Sequence, residues 1–227
     1  MLKSRIIKAI LFDVDGVVVD SELLHLQTFN ELLKSFNIRV TEEQWKQRFL
    51  GAGSAAIMQA LFEENGIIDD STPWVSRRRE LYQTRVAQGD LQPVHGFLSF
   101  YQSVQNANLP IAFVSTGHPE NISAALESLG LRGKHPVIDA TQVTRLKPDP
   151  EAYLKGSQVL DVPPAHCLVF EDSPIGVMAA KTVGMTCVAL TTTNPSEDLF
   201  EADLIIPNFE GWTLQKIVIK LNYQLGE

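Results

Sequence analysis

The sequence predicts an α/β fold: a Rossmann-like, doubly wound parallel sheet with an all-α insertion. Three observations point to it. Short apolar runs rich in β-branched residues recur along the chain, helical patterns separate the later ones, and residues 21–92 hold helical patterns alone. Taken in order, the first run is "AILFDV" (9–14), apolar until it meets acid. The helical stretch then begins with "SELLHLQTFNELLKSF", whose Leu23, Leu24, Phe29, Leu32, Leu33 and Phe36 recur close to a 3.6-residue period. "TEEQWKQRF" follows, with Thr41 and Gln44 spaced as a capping box, and residues 54–64 and 73–87 supply two more helices. The strand rhythm resumes near "PVHGF" (93–97) and continues through "IAFVS" (111–115), "VIDA" (137–140), "CLVFED" (167–172), "CVALT" (187–191) and "LII" (204–206). Between these lie "PENISAALESLG" (119–130), with proline at its start and Gly130 to stop it, and "DPEAYLKGSQVLD" (149–161) and "SPIGVMAAKTVG" (173–184), each starting with a capping residue and a proline. The strands are continuously apolar rather than alternating, as a parallel sheet covered on both faces requires. The sheet domain therefore comprises residues 1–20 and 93–227, and the insertion residues 21–92.

A length of 227 residues suits one domain with a sizeable insertion, and 44% hydrophobic with 20% charged content suits a soluble globular protein. The net charge of -8 is the wrong sign for neutralising a nucleic-acid backbone, yet permits a small anionic substrate where a local cation or metal dominates the field. Cys167 and Cys187 sit in apolar runs and read as buried free thiols of a reducing cytosol. Lys8 interrupts the apolar residues 6–12 and acid follows them, unlike a secretory signal, and no run reaches membrane-spanning length. The expectation is a cytoplasmic protein without nucleic-acid or membrane partners, a monomer or weak homo-oligomer.

The acids at the strand ends carry the functional signal. Residues i and i+2 of an extended chain project to one side, so Asp13 and Asp15 can share a site beyond the carboxyl end of their strand, where open α/β sheets bind ligands. Glu171 and Asp172 end a second strand in the same way. Two unit charges 4 Å apart cost about 4 kcal/mol at an effective dielectric of 20, so a cation must enter or the pKa values must rise. Carboxylate oxygens with open positions suit Mg²⁺, which readily holds a substrate phosphate as well. Ser115 and Thr116 add hydroxyl and backbone N–H donors before a helix start, and Lys147 in "RLKPDP" adds a cation.

"DVDGVVVDSE", Ser115 with Thr116, "KPDP" and "EDSPIGVMAA" with a following "GM" resemble the four ordered signatures of the haloacid dehalogenase superfamily. The chain is most similar to its helical-capped branch, which includes β-phosphoglucomutase and sugar-phosphate phosphatases. The resemblance covers nearly the whole chain. It implies Asp13 as nucleophile, forming an aspartyl-phosphate, and Asp15 as general acid and then base. It implies Mg²⁺ held by Asp13, Asp172 and the carbonyl of Asp15, with Glu171 as a further ligand or its neighbour, and Ser115, Thr116 and Lys147 around the phosphoryl group. The insertion becomes a cap that closes over a small phosphorylated metabolite.

Ser21 and Glu22 lie near one hinge of that cap and residues 90–95 near the other. His25 stands where phosphoglucomutase-like members carry a histidine, and "FLGAGSAAIMQAL" (49–61), with Gly51 and Ser54, reads as the specificity loop. Mutases carry arginine where this chain has Ser54, which favours a phosphatase over a phosphomutase. A dinucleotide-binding turn in "GAGSAA" is disfavoured because residues 45–50 before it read as helix. "SRRRE" (76–80) reads as a solvated cap surface, His118 as a helix-start residue, and the sequon at Asn121 as unused. A non-catalytic protein that binds a phosphometabolite is the alternative of a different class, and the intact Asp13, Asp15, Lys147 and Asp172 argue against it.

Overall fold

A computed structural model describes residues 5–223 of the chain. Its main sheet has six parallel strands in the order β5-β4-β1-β6-β7-β8. They are β1 (Ala9–Phe12), β4 (Ile111–Val114), β5 (Val137–Ile138), β6 (Cys167–Glu171), β7 (Thr186–Leu190) and β8 (Leu204–Ile206). The chain winds outward from β1 through β4 to β5, then returns to β6 on the other side of β1. That reversal is a topological switch point, where a crevice opens beyond the carboxyl ends of the strands.

Both faces of the sheet are covered, and the period of two decides which residue goes where. Ile10 and Phe12 pack on one face with Phe97, Phe100, Phe170 and Phe209, while Ala9 and Leu11 pack on the other with Tyr153, Val169 and Cys187. Phe12 stacks on Phe170, with centroids 5.1 Å apart, and meets Phe97, Phe100 and Phe209 edge to face. The covering helices are α5 (Phe97–Asn106), α6 (Pro119–Ser128), α7 (Glu151–Val159), α8 (Pro174–Thr182) and α9 (Leu214–Tyr223). His118 caps α6, accepting from the Glu120 N–H, and Ser173 caps α8, accepting from the Gly176 N–H. Cys167 and Cys187 are free and buried. Among the described residues no helix is long and apolar enough to cross a membrane.

The insertion contains α1 (Glu22–Leu33), α2 (Glu42–Arg48), α3 (Ser54–Glu64) and α4 (Thr72–Ala87). Thr41 and Gln44 close the capping box of α2 in both directions. Leu26, Phe29, Leu33, Trp45, Phe49, Ile57, Met58, Leu61 and Phe62 give these helices a hydrophobic core of their own. Leu24 of α1 and Tyr82 and Val86 of α4 instead join the core of the sheet domain. A feature too short to read from sequence ties the two ends of the insertion together. β2 (Val19–Asp20) and β3 (Gln92–Pro93) form an antiparallel ribbon, Val19 opposite Pro93 and Asp20 opposite Gln92.

Candidate active site

β1 ends at Phe12, so Asp13 and Asp15 lie in the turn beyond the strand rather than on its pleat. Asp13 is anchored by its N–H, which donates to the Phe170 carbonyl at 3.0 Å. Lys147, in the loop before α7, donates from Nζ to Asp13 Oδ1 at 2.5 Å and to Glu171 Oε1 at 2.6 Å, with its side chain only 3% exposed. Burial pushes the Asp13 carboxyl up to about 8, against Lys147 pulling it down and Glu171 pushing it further up. Burial alone would lower the Lys147 ammonium, but Asp13 and Glu171 outweigh it and hold Lys147 above its ordinary value.

Glu171 is the most heavily bonded acid. Oε1 accepts from Lys147 and from the Tyr153 hydroxyl, and Oε2 accepts from the Asp172 N–H, the Ser173 N–H and the Ser173 hydroxyl. Burial raises its pKa, and these donors outweigh burial, so it stays below the usual range and ionised. Its oxygens are spent on protein donors. Among the described residues no three His, Cys, Asp or Glu side chains form a metal-binding group. The carboxylates do lie close enough to act on one another, Glu171 and Asp15 on Asp13 and both Glu171 and Asp13 on Asp172, and with Glu171 engaged Asp13 and Asp172 are the two with open oxygens at the strand ends.

Those two fit Mg²⁺. Burial, then the neighbouring Glu171 and Asp13, push Asp172 well above the ordinary carboxylate range, so both acids are short of positive charge. Gly16 adopts φ +72°, and a Cβ there would fall 1.8 Å from Asp172 Oδ2. Only glycine lets the Asp15–Gly16 backbone come this close to the carboxyl. Two carboxylates with a nearby main-chain carbonyl match an ion that keeps waters and shares a substrate phosphate.

Asp15 faces the other way, toward the insertion. The Ser21 hydroxyl donates to its Oδ1 at 2.5 Å, and His25 Nε2 stands 3.6 Å from the same oxygen, just beyond hydrogen-bond length. Burial raises the Asp15 pKa, but His25, Ser21 and Arg78 together outweigh it and leave it lowered. His25 stacks on Tyr82 at 4.7 Å, and its Nδ1 meets Arg78 Nη2. Arginine has only donors, so Nδ1 must be the accepting nitrogen, which puts the proton of the neutral ring on Nε2, facing Asp15.

Above Asp15 and Thr116 lies a cavity of about 390 Å³, lined on the insertion side by Glu22, His25, Trp45, Phe49, Ser54 and Arg78. Gly51, at φ +70°, turns the chain toward the start of α3 and also lines it. Ser115 is buried. Its N–H serves the sheet by donating to Ile138, and its Oγ accepts from the Gly117 N–H, so its hydroxyl proton is what it offers a ligand.

The arginine run departs from expectation. Arg77 is exposed as predicted, but Arg78 is only 2% exposed. It donates to Thr28 Oγ1 at 3.2 Å and Ser54 Oγ at 3.1 Å as well as to His25, and its guanidinium lies over Phe29 and Tyr82. The sequence does carry the signal: Arg78, Tyr82 and Val86 fall four residues apart, on one buried face of α4. Tyr153 carries no functional signal in the sequence, since a tyrosine on an amphipathic helix looks like ordinary core. Ser21 was read only as a hinge.

A model of the haloacid dehalogenase-like hydrolase family matches residues 10–190. The chain belongs to that family. This hydrolase is 31% identical over 203 residues to validoxylamine A 7'-phosphate phosphatase of Streptomyces hygroscopicus subsp. limoneus, a match covering 88% of this chain and 92% of that one. It is 26% identical over 217 residues to β-phosphoglucomutase of Bacillus subtilis (strain 168), covering 92% of each. In fold it is similar to the crystal structure of β-phosphoglucomutase from Clostridium difficile, with a TM-score of 0.80 at 22% identity over 98% of this chain and 100% of that one.

Proposed function

We propose that this haloacid dehalogenase-like hydrolase is a Mg²⁺-dependent phosphatase of a small phosphorylated metabolite, a sugar phosphate, working through an aspartyl-phosphate. The arrangement of Asp13 carries the reading: a buried carboxylate at the end of the central strand, bonded to Lys147, with Asp15 beyond it under the cavity. Asp13 attacks phosphorus in line while Asp15 protonates the departing alcohol. Water then attacks the acyl-phosphate, gives its proton to Asp15, and releases phosphate with Asp13 restored. Asp15 is held ionised in the free site, ready as base, and the arrival of a phosphate dianion raises its pKa and favours the acid form for the first half. Lys147 and the hydroxyl of Ser115, with Thr116, hold the phosphoryl oxygens. Asp13, Asp172 and the carbonyl of Asp15 hold Mg²⁺, which supplies charge neutralisation to those oxygens.

Residues 21–92 act as the cap. Trp45 and Phe49 beside Glu22, Ser54 and Asn121 give the apolar surface and few polar contacts that a hydroxylated ring needs. Relatives named as a phosphatase and a phosphomutase support phosphoryl chemistry. The phosphomutase reading needs a second phosphate site. The Arg78 guanidinium stands next to Ser54 and lines the cavity, but it is a single cation with three of its five N–H donors already spent on Thr28, Ser54 and His25, and Ser54 itself brings no charge, so phosphatase is the reading we keep.

The test is phosphate release from a generic aryl phosphate, expected in Mg²⁺ and absent in chelator, with Asp13→Asn inactive. Equal rates with and without chelator reject the metal role, and an active Asp13→Asn rejects the nucleophile. Conversion of a hexose 1-phosphate with a trace of bisphosphate to its isomer, rather than to free phosphate, would overturn the choice of phosphatase.

A further inference from the structure

Behind the catalytic edge, α7 carries a side chain that the proposed reaction does not use. Tyr153 is fully buried, and its hydroxyl donates at 2.6 Å to Glu171 Oε1, the same oxygen that accepts from Lys147 Nζ at 2.6 Å. Nζ also lies 4.9 Å from the centre of the Tyr153 ring. The tyrosine thus touches both members of the pair that faces Asp13.

The approach of α7 makes this possible. A Cβ on Gly156 would fall 2.5 Å from Leu11 Cδ2 and 3.2 Å from Val114 Cγ2, so the missing side chain lets the helix sit flush on β1 and β4. Tyr153 is three residues earlier on the same face, which carries its hydroxyl to the end of β6. Gly176 closes Glu171 from the opposite side, since a Cβ there would overlap the carboxylate at 1.8 Å. The carboxylate is clamped between two helices, with no room to swing.

An ammonium has three protons. Two of those on Lys147 go to Asp13 and Glu171, leaving one for a phosphoryl oxygen. How firmly Glu171 draws on Lys147 depends on what else satisfies Oε1, and that other donor is Tyr153. We infer that Tyr153 is a positioning residue: its hydroxyl shares Glu171 Oε1 with Lys147, and so fixes where the ammonium stands and how much of its charge reaches the phosphoryl group. This rests on the phosphoryl-transfer reading of the site. The competing view is a buried phenol that found an acceptor and serves stability alone.

Tyr153→Phe separates the two because it keeps the ring, the packing and the contact with Lys147. The measurements are kcat and KM for an aryl phosphate, the affinity for inorganic phosphate by calorimetry, and the melting temperature. Phosphate affinity is expected to fall about tenfold and KM to rise by a similar factor, the scale of one hydrogen bond to a charged group. Tm should stay within a few degrees of the parent. Gly156→Ala, which displaces the hydroxyl without deleting it, should shift phosphate affinity in the same direction by a smaller factor. Unchanged phosphate affinity and KM in both variants, with only Tm lowered, overturn the inference while leaving the phosphatase reading intact. A wild-type protein that neither releases nor binds phosphate overturns that reading and this inference with it.

Discussion

Arg78→Met asks whether a buried cation is kept for folding or for the site. Burial pushes the Arg78 guanidinium down to about 10 from 12.5, and at about 1.4 kcal/mol per tenfold the buried charge costs on the order of 3 kcal/mol. It forms no ion pair among the described residues, so the return comes from its hydrogen bonds to Thr28, Ser54 and His25, at roughly 1.5 kcal/mol each, and from the two flanking rings. Methionine has similar length and removes the cost together with the bonds. The net change should be a loss of about 1–2 kcal/mol, or roughly 5 °C in Tm for a chain of this size. The effect on turnover should be far larger. Without Arg78 the His25 ring loses the donor that fixes its tautomer, and Asp15, the proposed proton donor and acceptor, loses an oriented neighbour. Proton transfer by such a group is worth about 10²–10⁴-fold, so kcat for an aryl phosphate should drop at least about 100-fold. Thermal melting and phosphate release on the same preparation decide it. A Tm lower by more than about 10 °C with unchanged activity per folded molecule would refute the reasoning.

Three further outcomes are expected. Gly16→Ala forces a left-handed backbone onto alanine and drives its Cβ into Asp172 and Thr193, so Mg²⁺ affinity and turnover should both fall at least about 100-fold, read by metal titration and phosphate release; a normal metal affinity contradicts the cradle. Asp13 is raised to about 8 and Asp172 well above its ordinary range, so in the metal-free protein the native state holds the extra protons and the Asp13 contribution to stability is lost as pH rises from about 4 to about 8. Mg²⁺ must displace those protons, so its gain in Tm should be larger at pH 8 than at pH 5, and equal gains would exclude these acids as ligands. Ser21→Ala removes a donor to the ionised form of Asp15, so the Asp15 pKa should rise and the acidic limb of the kcat/KM profile should move to higher pH; an unmoved limb would show that Asp15 does not govern it.

The sheet was legible because its strands announce themselves twice, by continuous apolar runs and by the proline-bearing helix starts between them. All six fall where the runs lie, although β1 stops at Phe12, before the acid, Asp13, that the run included. The insertion was legible from its 3.6-residue stripe and the Thr41–Gln44 box. The β2–β3 ribbon was not, since two residues per strand carry no periodicity. Ionised side chains were harder still. Three consecutive arginines leave the rotation of the helix undetermined until Tyr82 and Val86 are counted with Arg78. Glu171 could be read either as a metal ligand or as a neighbour of the ligands, because sequence shows an acid at a strand end but not the donors, Tyr153 above all, that reach it from elsewhere in the chain. Local pattern fixes where a charge starts, while long-range packing decides what neutralises it.

The ribbon at the base of the insertion has an evolutionary corollary. Its two strands run side by side, with entry and exit paired at Val19–Pro93 and Asp20–Gln92, so α2 and α3, which unlike α1 and α4 add nothing to the core of the sheet domain, can be lengthened, shortened or exchanged without moving any strand that presents Asp13 or Asp172. The cavity lining from α2 and α3 can then diversify while α1 and α4 keep His25 and Arg78 beside Asp15. A graft of foreign helices onto this stem is the natural way to retarget the enzyme.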